Sequence, residues 1–183
     1  MIIEILAVIS IGAATGLRVL LSLLLVGLMS GDQLWANVPL LADLPSNLVL
    51  GTLVGGSIVE AVLSKDGYGR RWLYPAELVL SLGAGVLAGV GIGRTLGLPP
   101  ELHRVAGLIS GLLALVIQLG QAGWLYRPQA LPPWALFLVD GLCISLVLCS
   151  FYAPQLGGVL ALALLWLVLH TAYRWRNWFR GQD

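Results

Sequence analysis

Six stretches of this chain are apolar for long enough to cross a lipid bilayer as a helix, and nothing else in the sequence constrains the fold as strongly. Read between Gly, Pro and charged punctuation, they cover about residues 4 to 28, 47 to 64, 76 to 97, 104 to 126, 133 to 151 and 155 to 173. A helical crossing takes roughly 17 to 25 apolar residues, and a helix satisfies its own backbone hydrogen bonds where no water can. Only 10% of the residues are charged and 58% are hydrophobic, against roughly 25% charged in an average soluble domain. The sequence therefore predicts an all-α integral membrane protein: one membrane domain over residues 1–183, folded as a compact bundle of six transmembrane helices. The first run opens with Glu4 rather than with basic residues and has no small-residue cleavage site before Asp32, so it is expected to be retained.

The bundle divides near LGLPPEL into a half of about residues 1–97 and a half of about 104–183. Three helices per half is an odd number, which allows two halves of inverted topology, as in many secondary transporters. Six crossings would place both termini on one side. Lys65, Arg70, Arg71, Arg127, Arg174, Arg176 and Arg180 fall on that side and only Arg94 and Arg104 on the other, which predicts cytoplasmic termini. Trp72, Trp124, Trp134, Trp175 and Trp178 fall near the same boundary, where an indole prefers the headgroup layer, and are read as membrane-interface anchors. The tail YRWRNWFRGQD suits an anionic lipid surface. A net charge of +1 gives no reason to expect a nucleic-acid partner.

Glycines at Gly85, Gly89, Gly93 and Gly97 recur every four residues, and Gly12 with Gly16, Gly51 with Gly55 and Gly107 with Gly111 repeat the interval. Such spacing lets helices approach closely and is read here as tight packing within one chain.

The polar residues inside the helices are grouped. On helix 1, Thr15, Arg18 and Ser22 share a stripe; helix 2 gathers Ser57 and Glu60, helix 4 gathers Ser110, Gln118 and Gln121, and helix 5 carries Asp140. Such stripes face protein or water rather than lipid. Counted from the cytoplasmic end at about 1.5 Å per residue, Glu60 lies roughly 6 Å deep, Asp140 roughly 10 Å and Gln118 roughly 12 Å. Arg18 comes out roughly 20 Å deep if its helix begins near Glu4, so direct contact with Asp140 requires a shorter helix or a long reach. A buried guanidinium needs a carboxylate or a wet cavity, and Asp140, with Glu60 as a second anion, supplies it. Glu60 alone also suits solvation near the interface, and Glu77, after Pro75, suits a carboxylate at a helix start.

Two functions fit. In the first, the protein moves a small solute or ion along a path lined by Arg18, Glu60, Asp140, Gln118, Gln121, Ser22 and Ser57. In the second, the same cluster is a structural ion pair in a non-catalytic subunit or assembly factor of a larger membrane complex, or in a homo-oligomer. No enzyme motif, cofactor site or metal site is expected: His103 and His170 lie near opposite faces, and Cys143 and Cys149, six residues apart in one helix, point apart.

At GAATGLRVLLSLLLVGL the sequence resembles a bacterial membrane-protein family known as domain of unknown function 4126, and Glu60 ahead of Lys65 and Asp140 ahead of Pro154 fit the same pattern. Related sequences tend to carry an acid before the lysine and an arginine before the proline of helix 3, where this chain has Ser64 and Tyr74. The resemblance implies a multi-helix protein of the bacterial inner membrane and no established activity. A thylakoid membrane is compatible with the same features.

Overall fold

A computed structural model describes residues 2–29, 38, 41, 43–63, 67–125 and 133–180. Among these all regular secondary structure is helical: α1 (Ile2–Leu17), α2 (Val19–Met29), α3 (Ser46–Leu63), α4 (Gly67–Thr95), α5 (Pro100–Leu125), α6 (Pro133–Tyr152) and α7 (Pro154–Arg180). Three segments are long and apolar enough to cross a membrane: Pro75–Thr95, Pro100–Gln121 and Pro154–Thr171. The segments Ile2–Leu17, Val19–Met29, Ser46–Val62 and Phe137–Tyr152 are shorter apolar helices. Leucines, valines and a tryptophan on the outer faces, among them Val79, Leu108, Leu112, Leu156, Val159 and Trp166, are exposed, which suits a surface solvated by hydrocarbon.

Proline sets several boundaries. α5, α6 and α7 each open on one, where the missing N–H is not needed and the fixed φ suits the helix. α4 ends in a glycine-terminated cap: Gly97 adopts φ 74°, and Leu98 N–H reaches back to the carbonyl of Gly93 at 2.9 Å. That left-handed turn favours glycine. Pro75 behaves otherwise. It lies inside α4, which begins at Gly67, so Glu77 is in the body of the helix and not at its start.

α1 is the central helix. It packs against α4, α5, α6 and α7 and is buried at every position from Ser10 to Leu17. Its sequence explains this, because Ser10, Gly12, Ala13, Ala14, Thr15 and Gly16 leave room for neighbours on all sides. A Cβ added at Gly12 would lie 2.8 Å from the Ser110 carbonyl oxygen, and one at Gly16 would lie 2.6 Å from that of Ala114. From α4, Gly85 and Gly89 press on the same stretch of α5, at Gly111 and Ser110. The small-residue stripes on α1, α4 and α5 thus meet at one crossing. Gly51 and Gly55 on α3 instead face open space.

The contacts also fix direction. Along α1, Gly12 and Gly16 meet Ser110 and Ala114 in the same order, so α1 and α5 run parallel. Ser10, Ala14 and Arg18 bond to Leu146, Cys143 and Asp140 in turn, so α6 runs against α1. α4 runs against α5, as Gly85 at Ala114 and Gly89 at Ala106 show. α7 follows α6 after a single residue, with Gly157 lying back against Cys149. The order α1, α4, α5, α6, α7 therefore alternates, and the Ile2 end of α1 and the Arg180 end of α7 lie at opposite ends of the bundle. This differs from six simple alternating crossings, in which α1 and α5 would oppose each other. Apolar run length counts segments but cannot tell which of them return: α2 continues α1, and the C-terminal end of α3 comes back to the start of α2, at Glu60. The halves also differ in build, since α1 and α2 are separate helices whereas α5 is continuous.

Candidate functional site

The first apolar run is interrupted at Arg18. The residue itself keeps a helical bond to the Ala14 carbonyl at 3.0 Å, and its own carbonyl accepts Ser22 N–H at 3.2 Å. The next two N–H groups leave the helix. Val19 N–H donates to Glu60 Oε1 and Leu20 N–H to Glu60 Oε2, each at 3.2 Å, so a side chain from α3 caps α2. On the other side of the break, the Gln121 amide of α5 donates to the carbonyls of Gly16 at 3.1 Å and Leu17 at 3.3 Å. Backbone groups freed by a broken helix cannot remain unpaired in an apolar interior. Here two other helices supply what the missing turn would have supplied.

The capping is electrostatically matched. A helix N-terminus carries roughly half a positive charge, and α2 offers it to a carboxylate. Glu60 is only 3% exposed, so it is buried by the fold and not solvated, and its contacts with Val19 and Leu20 set it at the level of Arg18, deeper than the roughly 6 Å counted from the sequence. Arg18, 7% exposed, donates its Nε–H to Asp140 Oδ1 of α6 at 2.6 Å.

The depth mismatch of Arg18 has a simple origin. α1 starts at the opposite end of the bundle from α4, α6 and the close of α7, so depth from the end where α4 begins is counted back from Met29. That places Arg18 roughly 16 Å from that end, close to Asp140 and Gln118. No unusual reach is needed.

Glu77 joins the cluster from α4. Its Oε2 accepts the Gln118 Nε2 amide at 3.0 Å, and its carboxyl lies beside that of Glu60. Reading Glu77 as a helix-start residue missed this. The signal was present in the spacing, because Glu77, buried Ser81, Gly85 and Gly89 recur every four residues and so share the α4 face that meets α5. Hydroxyls extend the polar stripe toward α1: Ser22 Oγ donates to Thr15 Oγ1 at 3.2 Å and also lies 2.9 Å from the Val19 carbonyl. Cys143 Sγ points at the Ala14 carbonyl at 3.4 Å, and both cysteines are free thiols.

Of the residues expected to line a path, Arg18, Glu60, Asp140, Gln118 and Gln121 surround the α1–α2 break, with Ser22 one turn along α2. Ser57 does not join them: its hydroxyl donates to the Leu53 carbonyl of its own helix at 2.6 Å. The Trp134 side chain is exposed on α6. The side chains of Trp72, Trp124, Trp175 and Trp178 lie outside the described residues. His103 contacts the Leu98 carbonyl at 2.9 Å, and His170 stacks on Trp166. Among the described residues no group of three His, Cys, Asp or Glu side chains is placed to hold a metal ion.

The family model for a domain of unknown function (DUF4126) matches residues 5–174. The chain belongs to the DUF4126 family. Arg18, Glu60, Glu77, Gln118, Gln121 and Asp140 all lie inside the matched span of DUF4126, and the chain matches no curated protein and no solved structure.

Proposed function

We propose that this chain is a small membrane carrier of an ion or polar solute, and that the α1–α2 break is its binding and gating element. One observation carries this reading: both sides of the break are closed by side chains from other helices, Glu60 from α3 and Gln121 from α5. Broken helices at membrane depth are the parts from which many carriers build their central sites, because helix ends expose backbone donors and acceptors without a net backbone charge. A cap supplied by a second helix is breakable when the helices shift, whereas a continuous helix has nothing to exchange. Arg18, Asp140, Glu77 and Gln118 complete a polar region around that point.

In this reading α1 with α2, α4, α5, α6 and α7 cross the membrane, with α3 folded back beside α2. Of the basic positions in described helices, Arg70 and Arg71 near the start of α4 and Arg174, Arg176 and Arg180 near the close of α7 share one end of the bundle, which in this reading makes that end cytoplasmic and puts the start of α1 on the opposite side. A bacterial cytoplasmic membrane is the setting.

The test is flux in vesicles reconstituted with the purified protein, driven by ion and pH gradients. Asp140→Asn should abolish flux while leaving folded protein near wild-type amounts. Loss of the folded protein itself would make the Arg18–Asp140 pair structural. A second reading, as a subunit of a larger membrane complex, is favoured by α3, where Gly51 and Gly55 face open space between exposed Leu48, Ile58 and Val62. Purification in mild detergent separates the two: a partner retained at constant ratio supports the subunit.

A further inference from the structure

Glu77 Oε1 is buried and meets no N–H or O–H donor. Its neighbour is the Glu60 carboxyl, close enough for a hydrogen bond between the two side chains. The other acceptor positions there are engaged, since Glu60 takes the N–H groups of Val19 and Leu20 and Glu77 Oε2 takes the Gln118 amide. Neither backbone nor amide can supply the missing donor between two carboxyl oxygens. A proton can, because a carboxylic acid donates where a carboxylate only accepts.

Charge balance around the pair points the same way. The α1–α2 junction contributes Arg18, α6 contributes Asp140 and the thiol of Cys143, and α5 contributes the non-titrating amides of Gln118 and Gln121. Among the described side chains, Arg18 is the cation that acts on Glu60 and Glu77. One cation against three ionised carboxylates leaves two negative charges in a buried site. A single shared proton leaves one, and the roughly half positive charge of the α2 N-terminus offsets part of it.

We propose that Glu60 and Glu77 hold one exchangeable proton between them and that this proton is the ion coupled to movement of the α1–α2 break, the coupling resting on the carrier reading above. With the proton in place, Glu77 donates to Glu60 and Glu60 stays on α2. When the proton leaves to water, two like charges face each other, and the relief available to Glu60 is to release Val19 and Leu20. Proton loss and uncapping of α2 are then one event.

Infrared difference spectroscopy of the full-length protein in lipid vesicles, recorded as pH is raised, tests the proton directly. The expected result is one protonated-carboxyl stretch that disappears at high pH, shifts in heavy water and is absent from Glu77→Gln. That variant should fold, because its amide provides the donor the pair lacks. Glu77→Asp, which draws the carboxyls apart, should shift the band and covers the case in which Glu77→Gln does not accumulate. A wild-type spectrum without the band, or a band unchanged in both variants, overturns the proposal. Asp140→Asn keeps the outcomes distinct. Lost flux with the band intact is the expected pattern, an intact band without wild-type flux sinks the carrier and leaves the proton site, and flux without the band sinks the proton site alone.

Discussion

Arg18 Nε and Asp140 Oδ1 lie 2.6 Å apart although 122 positions separate them in the chain, and this pair ties the interruption of the central helix to α6. Removing one partner of a buried ion pair leaves the other uncompensated, a cost of about 3 to 5 kcal/mol where burial is complete. The Asp140 side chain keeps 25% of its exposure, so water relieves part of that. Asp140→Leu is expected to lower stability by about 1 to 3 kcal/mol. Arg18→Met combined with Asp140→Leu should cost less than the two single changes added together, as measured by reversible unfolding in mixed micelles. Additive losses would mean that the two side chains do not depend on each other.

Glu60 presents a sharper case, since it is the cap of α2. Glu60→Ala deprives the buried Val19 N–H and the part-buried Leu20 N–H of a charged acceptor, each bond of that kind contributing about 1.5 to 3 kcal/mol where burial is complete. Glu60→Gln keeps one acceptor oxygen and should lose roughly half as much. The amide protons of Val19 and Leu20 provide the local readout: both should exchange faster with solvent in Glu60→Ala, and only one of them in Glu60→Gln. Equal protection in all three proteins would show that α2 holds its first turn without Glu60.

Much of this was legible in the sequence, and what was missed shares one cause. Run length and punctuation place α5, α6 and the start of α7 within a few residues, because proline and glycine act locally, whereas α7 continues seven residues past the expected 173 to Arg180. The stripe rule brings Arg18, Glu60, Gln118, Gln121 and Asp140 into one region. The interruption at Arg18 was not legible, since no Gly or Pro stands there and the break exists only because Glu60 and Gln121 arrive from elsewhere in the chain. Glu77 was misread for a related reason: a proline two residues before an acid is a local helix-start signal, and the continuation of α4 back to Gly67 overrides it. Direction failed because α3 reads as a crossing by length alone.

The glycine stripes separate by what faces them, so substitution should split them cleanly. At Gly16 a new Cβ would sit 2.6 Å from the Ala114 carbonyl oxygen and 2.8 Å from Ile117 Cβ, with backbone on one side unable to give way. At Gly51 the same atom meets nothing within 4 Å. Gly16→Val is therefore expected to cost about 3 kcal/mol or more, at the upper end of overpacking. Gly51→Ala should be neutral or slightly stabilising, by up to about 1 kcal/mol, through helix propensity. Monodisperse yield and thermal unfolding in detergent measure both, and a Gly51→Ala protein that is lost from the membrane would instead place a partner against α3.

The direction of α1 can be read without a further structure. If α1, α5 and α7 run parallel, Ile3 lies at the end of the bundle that holds the start of α5, and Lys65 belongs by charge to the other end. In a Cys143→Ser, Cys149→Ser background, Ile3→Cys and Arg104→Cys should be modified by a membrane-impermeant thiol reagent from the same side. Ile3 and Arg104 are both exposed, so access is not limited by packing. Lys65→Cys should react only when the reagent is supplied from the opposite face. Six alternating crossings make a different demand, because they place Ile3 with Lys65. Protection of Ile3→Cys together with Arg104→Cys in sealed inverted vesicles, and exposure of both in intact spheroplasts, would establish the alternation α1, α4, α5, α6, α7. Labelling of Ile3→Cys alongside Lys65→Cys would require α1 to be turned over, and with it the depth that brings Arg18 level with Asp140.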